Sequence, residues 1–248
     1  MGREKKERID KLLCDRGLAP SRERARAYIM AGTVLADERK IEKPGTQIAE
    51  NAIVRIKGID HPYVSRGGLK LEKALDAFGF SVAHLVAMDI GASTGGFTDC
   101  LLQRGASYVF AVDVGSGQLA RKLILDTRVK NLEKTNFRYL EFSKIDTFVD
   151  LIVIDVSFIS LTKILHRCLS FLVSEGYVIA LIKPQFEAGK NNIERRGVVR
   201  KESIHMEVIT SMHQHAESIG YAVENVVKCP IRGKKSRNTE YFILLRKR

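Results

Sequence analysis

The residues Ala87-Met88-Asp89-Ile90-Gly91-Ala92-Ser93-Thr94-Gly95-Gly96-Phe97-Thr98 read as a buried strand, a glycine-rich turn and the start of a helix. Glycines let the backbone approach a ligand closely there, beside the unpaired N–H groups of a helix start. Further on, the apolar run Val109-Phe110-Ala111-Val112 ends on Asp113, where a carboxylate can accept hydrogen bonds from both hydroxyls of a ribose. The two features together predict an adenosine-bearing ligand. A dinucleotide site would space its glycines G-x-G-x-x-G around a pyrophosphate, and Gly91, Gly95 and Gly96 do not fit that spacing. A strand-turn-helix whose glycines serve geometry alone, and an oxidoreductase, are the competing readings.

Outward from this turn, apolar runs predict strands at 85–90, 108–113, 129–132, 151–155, 177–182, 222–227 and 241–245, with helical stretches between them. The alternation predicts an α/β fold, a doubly wound Rossmann-like sheet over residues 65–248. Gly58, His61 and Pro62 mark a linker at 59–64, which sets off a small α+β unit over residues 1–58. In that unit Ile9, Leu12 and Leu13 form one apolar helical face, ended by Gly17 and Pro20. Ser21 caps a second helix over 22–31, with Ala25, Tyr28 and Ile29 at helical spacing. Two short strands follow, at Val34-Leu35 and 53–56, on either side of the turn Lys43-Pro44-Gly45-Thr46.

Arg8-Ile9-Asp10, Ser21-Arg22, Ala25, Ile29 and Gly32-Thr33-Val34 resemble the RNA-binding domain named after ribosomal protein S-four, a helix-turn-helix followed by a small sheet. Ala36-Asp37 stands where that domain often carries an Asn-Gly or Asp-Gly turn. The resemblance implies a module in which Arg8, Lys11, Arg22 and Arg26 meet the phosphates of a structured RNA and read its shape more than its sequence. A solvated charged face is the bland alternative.

The formal charge of +12 over 248 residues favours a polyanionic partner, nucleic acid ahead of anionic lipid. The opening Met1-Gly2-Arg3-Glu4-Lys5-Lys6 has no apolar run behind its charges. No later stretch reaches the roughly 18 apolar residues that a membrane span needs. A cytoplasmic protein without stable membrane association is expected. Cys14, Cys100, Cys168 and Cys229 lie far apart, and His213 and His215 point to different faces of a probable helix, so the sequence predicts no metal site and no disulfide framework.

Ionisable residues sit where an open parallel sheet binds its ligands. Asp155 ends the run Leu151-Ile152-Val153-Ile154, Lys183 ends the run from Tyr177 and precedes Pro184-Gln185-Phe186, and Glu240 precedes the last strand. Lys70 follows Ser65-Arg66-Gly67-Gly68-Leu69 on the first helix. An acidic residue two before the first glycine, then Gly91-Ala92-Ser93-Thr94-Gly95-Gly96, resembles the first motif of class I S-adenosylmethionine methyltransferases, whose ligand carries no phosphate. Taken in order with Asp155-Val156-Ser157-Phe158-Ile159-Ser160-Leu161, Lys183-Pro184-Gln185-Phe186-Glu187 and Asn238-Thr239-Glu240-Tyr241-Phe242, these segments resemble the TlyA family of FtsJ-like RNA 2′-O-methyltransferases over nearly the whole chain.

That resemblance implies a mostly parallel methyltransferase sheet with an antiparallel last strand and a catalytic set of Lys70, Asp155, Lys183 and Glu240. It implies S-adenosylmethionine held by Asp89, Gly91, Ser93, Thr94, Gly95, Gly96, Phe97, Asp113 and Asn136. The implied substrate is the 2′-hydroxyl of cytidine in ribosomal RNA, with the ribosomal subunit as partner, the large one first and the small one as a further target. A ribose hydroxyl is a poor nucleophile that must meet a sulfonium methyl in line. Lys183 would either orient the hydroxyl and stabilise charge on its oxygen, or take its proton; Glu240 would hold a lysine or the ribose. Arg66 and two basic stretches, with Arg195 and Arg196 in one and Lys234, Lys235 and Arg237 in the other, would extend the RNA surface as loops over the site or serve only solubility. The chain stops at Arg246-Lys247-Arg248 just after its last predicted strand, as in the shorter of the family's two forms. A membrane-active haemolysin, a name carried by TlyA-like proteins, and a non-catalytic ribosome-assembly factor are the rival functions; the oligomeric state is not legible.

Overall fold

The computed structural model describes residues 6–56, 62–189, 192–193, 197–231 and 238–248. The chain divides into two compact units, residues 1–62 and 63–248. In the first unit, β1 (Lys6–Arg8) leads into α1 (Ile9–Asp15) and α2 (Arg22–Met30), followed by β2 (Val34–Ala36), β3 (Arg39–Lys40), β4 (Gln47–Ala49) and β5 (Val54–Ile56). Strand β1 pairs antiparallel with β4, while β3, β2 and β5 form a second small sheet. Ile9, Leu13, Ala25, Ile29 and Val34 fill the core between them. The Ser21 hydroxyl accepts from Arg24 N at 3.2 Å, the expected N-cap of α2.

The hairpin between β2 and β3 turns on Asp37 and Glu38, one residue later than the sequence placed it, and both have left-handed backbone (φ 46° and 64°). Two such residues match a type I′ turn, which a Glu adopts only at a cost of about 1–2 kcal/mol. Asp37 offsets this locally: its carboxylate accepts from Ile53 N at 2.9 Å while its own N–H donates to Ile53 O.

The second unit carries β6 (Val86–Ile90), β7 (Tyr108–Val112), β8 (Val129–Leu132), β9 (Val149–Ile154), β10 (Leu172–Ile182), β11 (Tyr221–Lys228) and β12 (Tyr241–Lys247). Among the described residues these seven strands form one sheet in the order β11-β12-β10-β9-β6-β7-β8. Only β12 runs against its neighbours, as expected. The helices are α3 (Arg66–Phe78), α4 (Gly96–Gln103), α5 (Arg121–Ile124), α6 (Thr162–Cys168), α7 (Pro184–Glu187) and α8 (Glu202–Ser218). Tyr63 and Val64, read as linker, belong to this unit: the Tyr63 hydroxyl donates to Glu72 and Val64 N to Asp99.

The inner strands β6, β7, β9 and β12 are mostly apolar runs because both sheet faces are covered there, whereas the edge strands β8 and β11 carry polar residues. Met88, Ile90, Phe110, Ile152, Ile154, Val178 and Ile182 pack on one face with Ile204, Val208 and Met212 of α8. Ala87, Val109, Leu151, Val153, Ile179 and Phe242 pack on the other with Leu71 and Leu75 of α3 and Phe97 and Leu101 of α4. Each fully buried Leu or Ile side chain contributes about 1.5–3 kcal/mol of burial.

One polar side chain inside β6 ties the turn to the helix after it. The buried Asp89 Oδ2 accepts from Thr98 N at 2.9 Å and Thr98 Oγ1 at 2.7 Å, while Oδ1 has no partner. Burial pushes this carboxyl up to about 7, against the opposing pull of the Thr98 donors. The folded chain therefore keeps a proton that the unfolded chain releases nearer the ordinary aspartate value, so this residue's contribution to stability declines as pH rises toward about 7 and levels off above it. We predict that Asp89→Asn removes this decline: denaturant midpoints compared at about pH 5 and about pH 8 should fall less for the variant than for the parent. Parallel falls would contradict the assignment.

Candidate active site

Strand register brings three charged side chains to one edge of the sheet, and a helix adds a fourth. Ile90 of β6 and Ala180 of β10 are both paired with Ile154 of β9, so the glycine turn, Asp155 and Lys183 leave the sheet at its carboxyl edge. Because β12 is antiparallel, its beginning lies at the same edge, with Tyr241 opposite Ile182. Glu240 therefore arrives beside Lys183 from the other direction. Lys70 comes from α3, whose first turn packs on the glycine turn. A Cβ on Gly96 would lie 2.2 Å from Ser65 Oγ and 2.9 Å from Gly68 N, so the two chain segments can approach this closely only without a side chain there.

Two ion pairs result. Lys70 Nζ donates to Glu240 Oε2 at 2.6 Å, and Lys183 Nζ lies 2.5 Å from Asp155 Oδ1. Lys183 also donates to Ser157 Oγ at 3.0 Å. Lys183 and Glu240 are buried, Lys70 and Asp155 nearly so. The Lys183–Asp155 contact is one of charge rather than an aligned hydrogen bond, which leaves Asp155 Oδ1 without a hydrogen-bond donor. Burial alone would lower the Lys70 amine, but the nearby carboxylates of Asp155 and Glu240 outweigh it and hold the amine above its ordinary value. Lys70 is thus a fixed cation. Glu240 is in contact with Lys70.

The turn itself abuts this cluster. Gly91 has φ 86°, and a Cβ there would lie 2.6 Å from the backbone oxygen of Asp155. Asp155 N donates to Ile90 O at 3.1 Å, closing the contact. The N–H groups of Gly91 and Ala92 donate to Val112 O, that of Gly95 to Ala92 O, and that of Ser93 to Asp113 Oδ2 at 2.8 Å. Four turn amides are therefore already used within the protein, where the sequence predicted a start rich in unpaired donors. A pyrophosphate needs such donors; this turn suits a ligand without phosphate.

The residues expected to hold the ligand distribute around that turn. Asp113 accepts one backbone N–H on each carboxylate oxygen, the second from Gly115 at 2.7 Å, which fixes its plane and leaves one lone pair on each oxygen for a ribose. Ser93 has φ 48° and its hydroxyl donates to Gln118 Oε1, a residue the sequence did not single out. Thr94 O accepts from Ala120 N, and a Cβ on Gly95 would strike Leu119 and Leu123. The Phe97 ring is buried against Phe242 and supports the turn from the core side. Asn136 follows Thr135, whose N–H donates to Asp113 O, and its side chain caps the next helical turn at Arg138 N.

At the same edge stands Phe158, three residues after Asp155, 91% exposed and with φ 67°. A bulky residue in left-handed backbone is strained and persists only when its surroundings hold it. Here Glu187 does so: it accepts from Ser160 Oγ and from Leu161 N at 2.9 Å, tying the Phe158 loop to α7, and the Phe158 ring lies 5.3 Å from that of Phe186. Ser157, Phe158 and Glu187 were inside motifs read for other residues, and no periodicity marks them because Ser157 and Phe158 lie in a loop and Glu187 ends the short helix α7.

Of the expected RNA contacts, Arg66 is exposed at the first turn of α3, one helical turn before Lys70. Arg8, Arg22 and Arg26 gather around Asp10, while Lys11 pairs with Glu7 at 2.6 Å. Arg195, Arg196, Lys234, Lys235 and Arg237 lie outside the described residues. The described ends of their two stretches are stitched together, Asn238 accepting from Val199 N at 3.0 Å and donating to Gly197 O at 2.9 Å. Asn238 is two residues from Glu240, so both basic stretches begin or end at the edge that carries the ion pairs. Among the described residues no helix is long and apolar enough to cross a membrane.

Comparison with known proteins agrees with this geometry. Residues 7–54 match the S4 domain and residues 63–247 the FtsJ-like methyltransferase. The chain is 46% identical over 97% of its length to YqxC of Bacillus subtilis, which bears a provisional rRNA methyltransferase name, covering 86% of that protein. It is 41% identical over 96% of its length to the 16S/23S rRNA (cytidine-2′-O)-methyltransferase TlyA of Mycobacterium tuberculosis, covering 89% of it. A solved structure from Streptococcus thermophilus, provisionally named a hemolysin, aligns over 98% of this chain and 89% of its own with a TM-score of 0.76 and 45% identity. With a glycine turn whose amides are bonded within the protein, paired lysines and carboxylates beside it and a match spanning residues 63–247, the chain belongs to the FtsJ-like methyltransferase family.

Proposed function

We propose that this protein transfers a methyl group from S-adenosylmethionine to the 2′-hydroxyl of cytidine in ribosomal RNA, of the large subunit first, in the cytoplasm. The observation that carries the reading is the Lys183–Asp155 pair seated directly against the Gly91 turn. The name of the mycobacterial relative supports the ribose and cytidine specificity, and the S4 match supports an RNA substrate.

S-adenosylmethionine would supply an electrophilic methyl on a sulfonium. Asp113 would hold its ribose, and Asp89, with a buried Oδ1 that lacks a partner, suits its cationic end. Lys183 would orient the target hydroxyl and stabilise charge on its oxygen, the hydroxyl proton passing to solvent as the oxygen accepts the methyl group. Asp155 and Ser157 hold the Lys183 amine in place, and Lys70, clamped by Glu240, keeps a second positive charge beside it. The Phe158 face, held out over the edge by the Glu187 tie, offers a stacking surface for a nucleobase of the bound strand.

Lys183→Ala should lower methyl transfer to unmethylated ribosomal subunits by about 10²-fold or more in a tritiated-methyl assay, while calorimetry finds the S-adenosylmethionine affinity nearly unchanged. Near-parental turnover would refute its role. Phe158→Ala should weaken productive RNA binding by about 1–3 kcal/mol, read as a higher KM for subunits, and Phe158→Trp should largely restore it. An unchanged KM in Phe158→Ala would remove stacking from the account.

A further inference from the structure

The first unit contains a carboxylate that the S4 match and the proposed methyl transfer leave without a role. Asp10, in the first turn of α1, is 0% exposed, yet it is surrounded by three arginines whose side chains are 40–55% exposed. Arg8 binds it through two nitrogens, Nε to Oδ1 at 3.0 Å and Nη2 to Oδ2 at 2.9 Å. Arg22 Nη2 lies 3.2 Å and Arg26 Nε 3.4 Å from the same Oδ2. The carboxylate is thus covered by solvent-facing guanidiniums, and the Arg8 contact first, against burial, holds its carboxyl far below the usual range.

The three arginines come from different places. Arg8 ends β1, above the turn where a side chain on Gly45 would meet its guanidinium at 3.6 Å, and Arg22 and Arg26 sit one turn apart on α2. Three cations around one anion leave the cluster at a net charge of +2. Left alone they would repel one another and lose rotamer freedom on meeting a ligand. Around Asp10 they are gathered beforehand, and each guanidinium has five N–H donors, of which Arg22 and Arg26 each spend one nitrogen on the carboxylate.

We infer that Asp10 is a positioning residue for RNA docking, holding Arg8, Arg22 and Arg26 as one preformed cluster for adjacent backbone phosphates. The inference rests on the RNA-binding reading of this unit. It makes a prediction whose sign differs from that of simple charge. Removing Asp10 makes the surface more positive, and charge alone would tighten RNA binding; loss of the scaffold weakens it.

The test uses the full chain and unmethylated large ribosomal subunits. Asp10→Asn should bind subunits about 5–30-fold more weakly, raising KM while kcat at saturating subunits stays at the parental level. Arg22→Lys and Arg26→Lys, which keep the charge and lose the fork, should each weaken binding several-fold. Arg24→Lys should not, since Arg24 faces Tyr28 instead. Binding by Asp10→Asn that equals or exceeds the parent overturns the positioning role. If Asp10→Asn fails to fold, parental affinity in both Arg→Lys variants overturns it equally. The docking reading fails separately: an Arg22→Glu/Arg26→Glu variant with parental affinity shows that this face does not meet RNA, whatever Asp10 does.

Discussion

The backbone oxygen of Asp155 occupies the place that a side chain at position 91 would need. This close approach makes residue 91 a glycine, presses the turn against the end of β9, and leaves no spacer between the turn and the Lys183–Asp155 pair. In-line transfer needs that adjacency, because holding the reacting atoms in register supplies much of the rate. Strand register supplies the remainder: one reversed strand, β12, carries Glu240 to an edge where parallel strands deliver only their carboxyl ends.

Electrostatics in the site follows from burial. Two lysines and two carboxylates, mostly withdrawn from water, are tolerable only as pairs, since removing one partner leaves an uncompensated charge. The pairing also divides labour. Lys70 and Glu240 bind each other, whereas Lys183 is held between the Asp155 carboxylate and the Ser157 hydroxyl. The first unit applies the same device outward. There a single covered carboxylate organises cations that remain in solvent, which suits a surface meant for phosphates rather than a crevice meant for one hydroxyl.

The parts of this architecture written as long apolar runs were legible in the sequence. All seven strands of the large sheet fall where the sequence predicts them, the inner ones as apolar runs, and the Asp-x-Gly turn with Asp113 pointed to the edge that carries the ion pairs. Strands β1 and β4 escaped notice because Lys6–Arg8 and Gln47–Ala49 are short and mostly polar, defined by pairing with each other rather than by an apolar face. The first part of β10 was missed because its register with β9 shifts between Leu172 and Tyr177, which breaks the alternation. Ser157 and Phe158 in a loop, and Glu187 at the end of the short helix α7, carry no period at all; only their three-dimensional tie reveals them. Likewise the spacing of Arg22 and Arg26 showed a polar helix face, but nothing in it disclosed that Asp10 would gather them.

The site proposed at the carboxyl edge would deliver a methyl group to a ribose hydroxyl. Tritiated methyl transfer from S-adenosylmethionine to unmethylated ribosomal subunits, followed by alkaline hydrolysis of the RNA, tests it directly. A 2′-O-methyl ribose blocks alkaline cleavage, so label is expected in alkali-resistant dinucleotides containing cytidine. Label released in mononucleotides as a methylated base, or no incorporation by a protein that binds the donor, would contradict it.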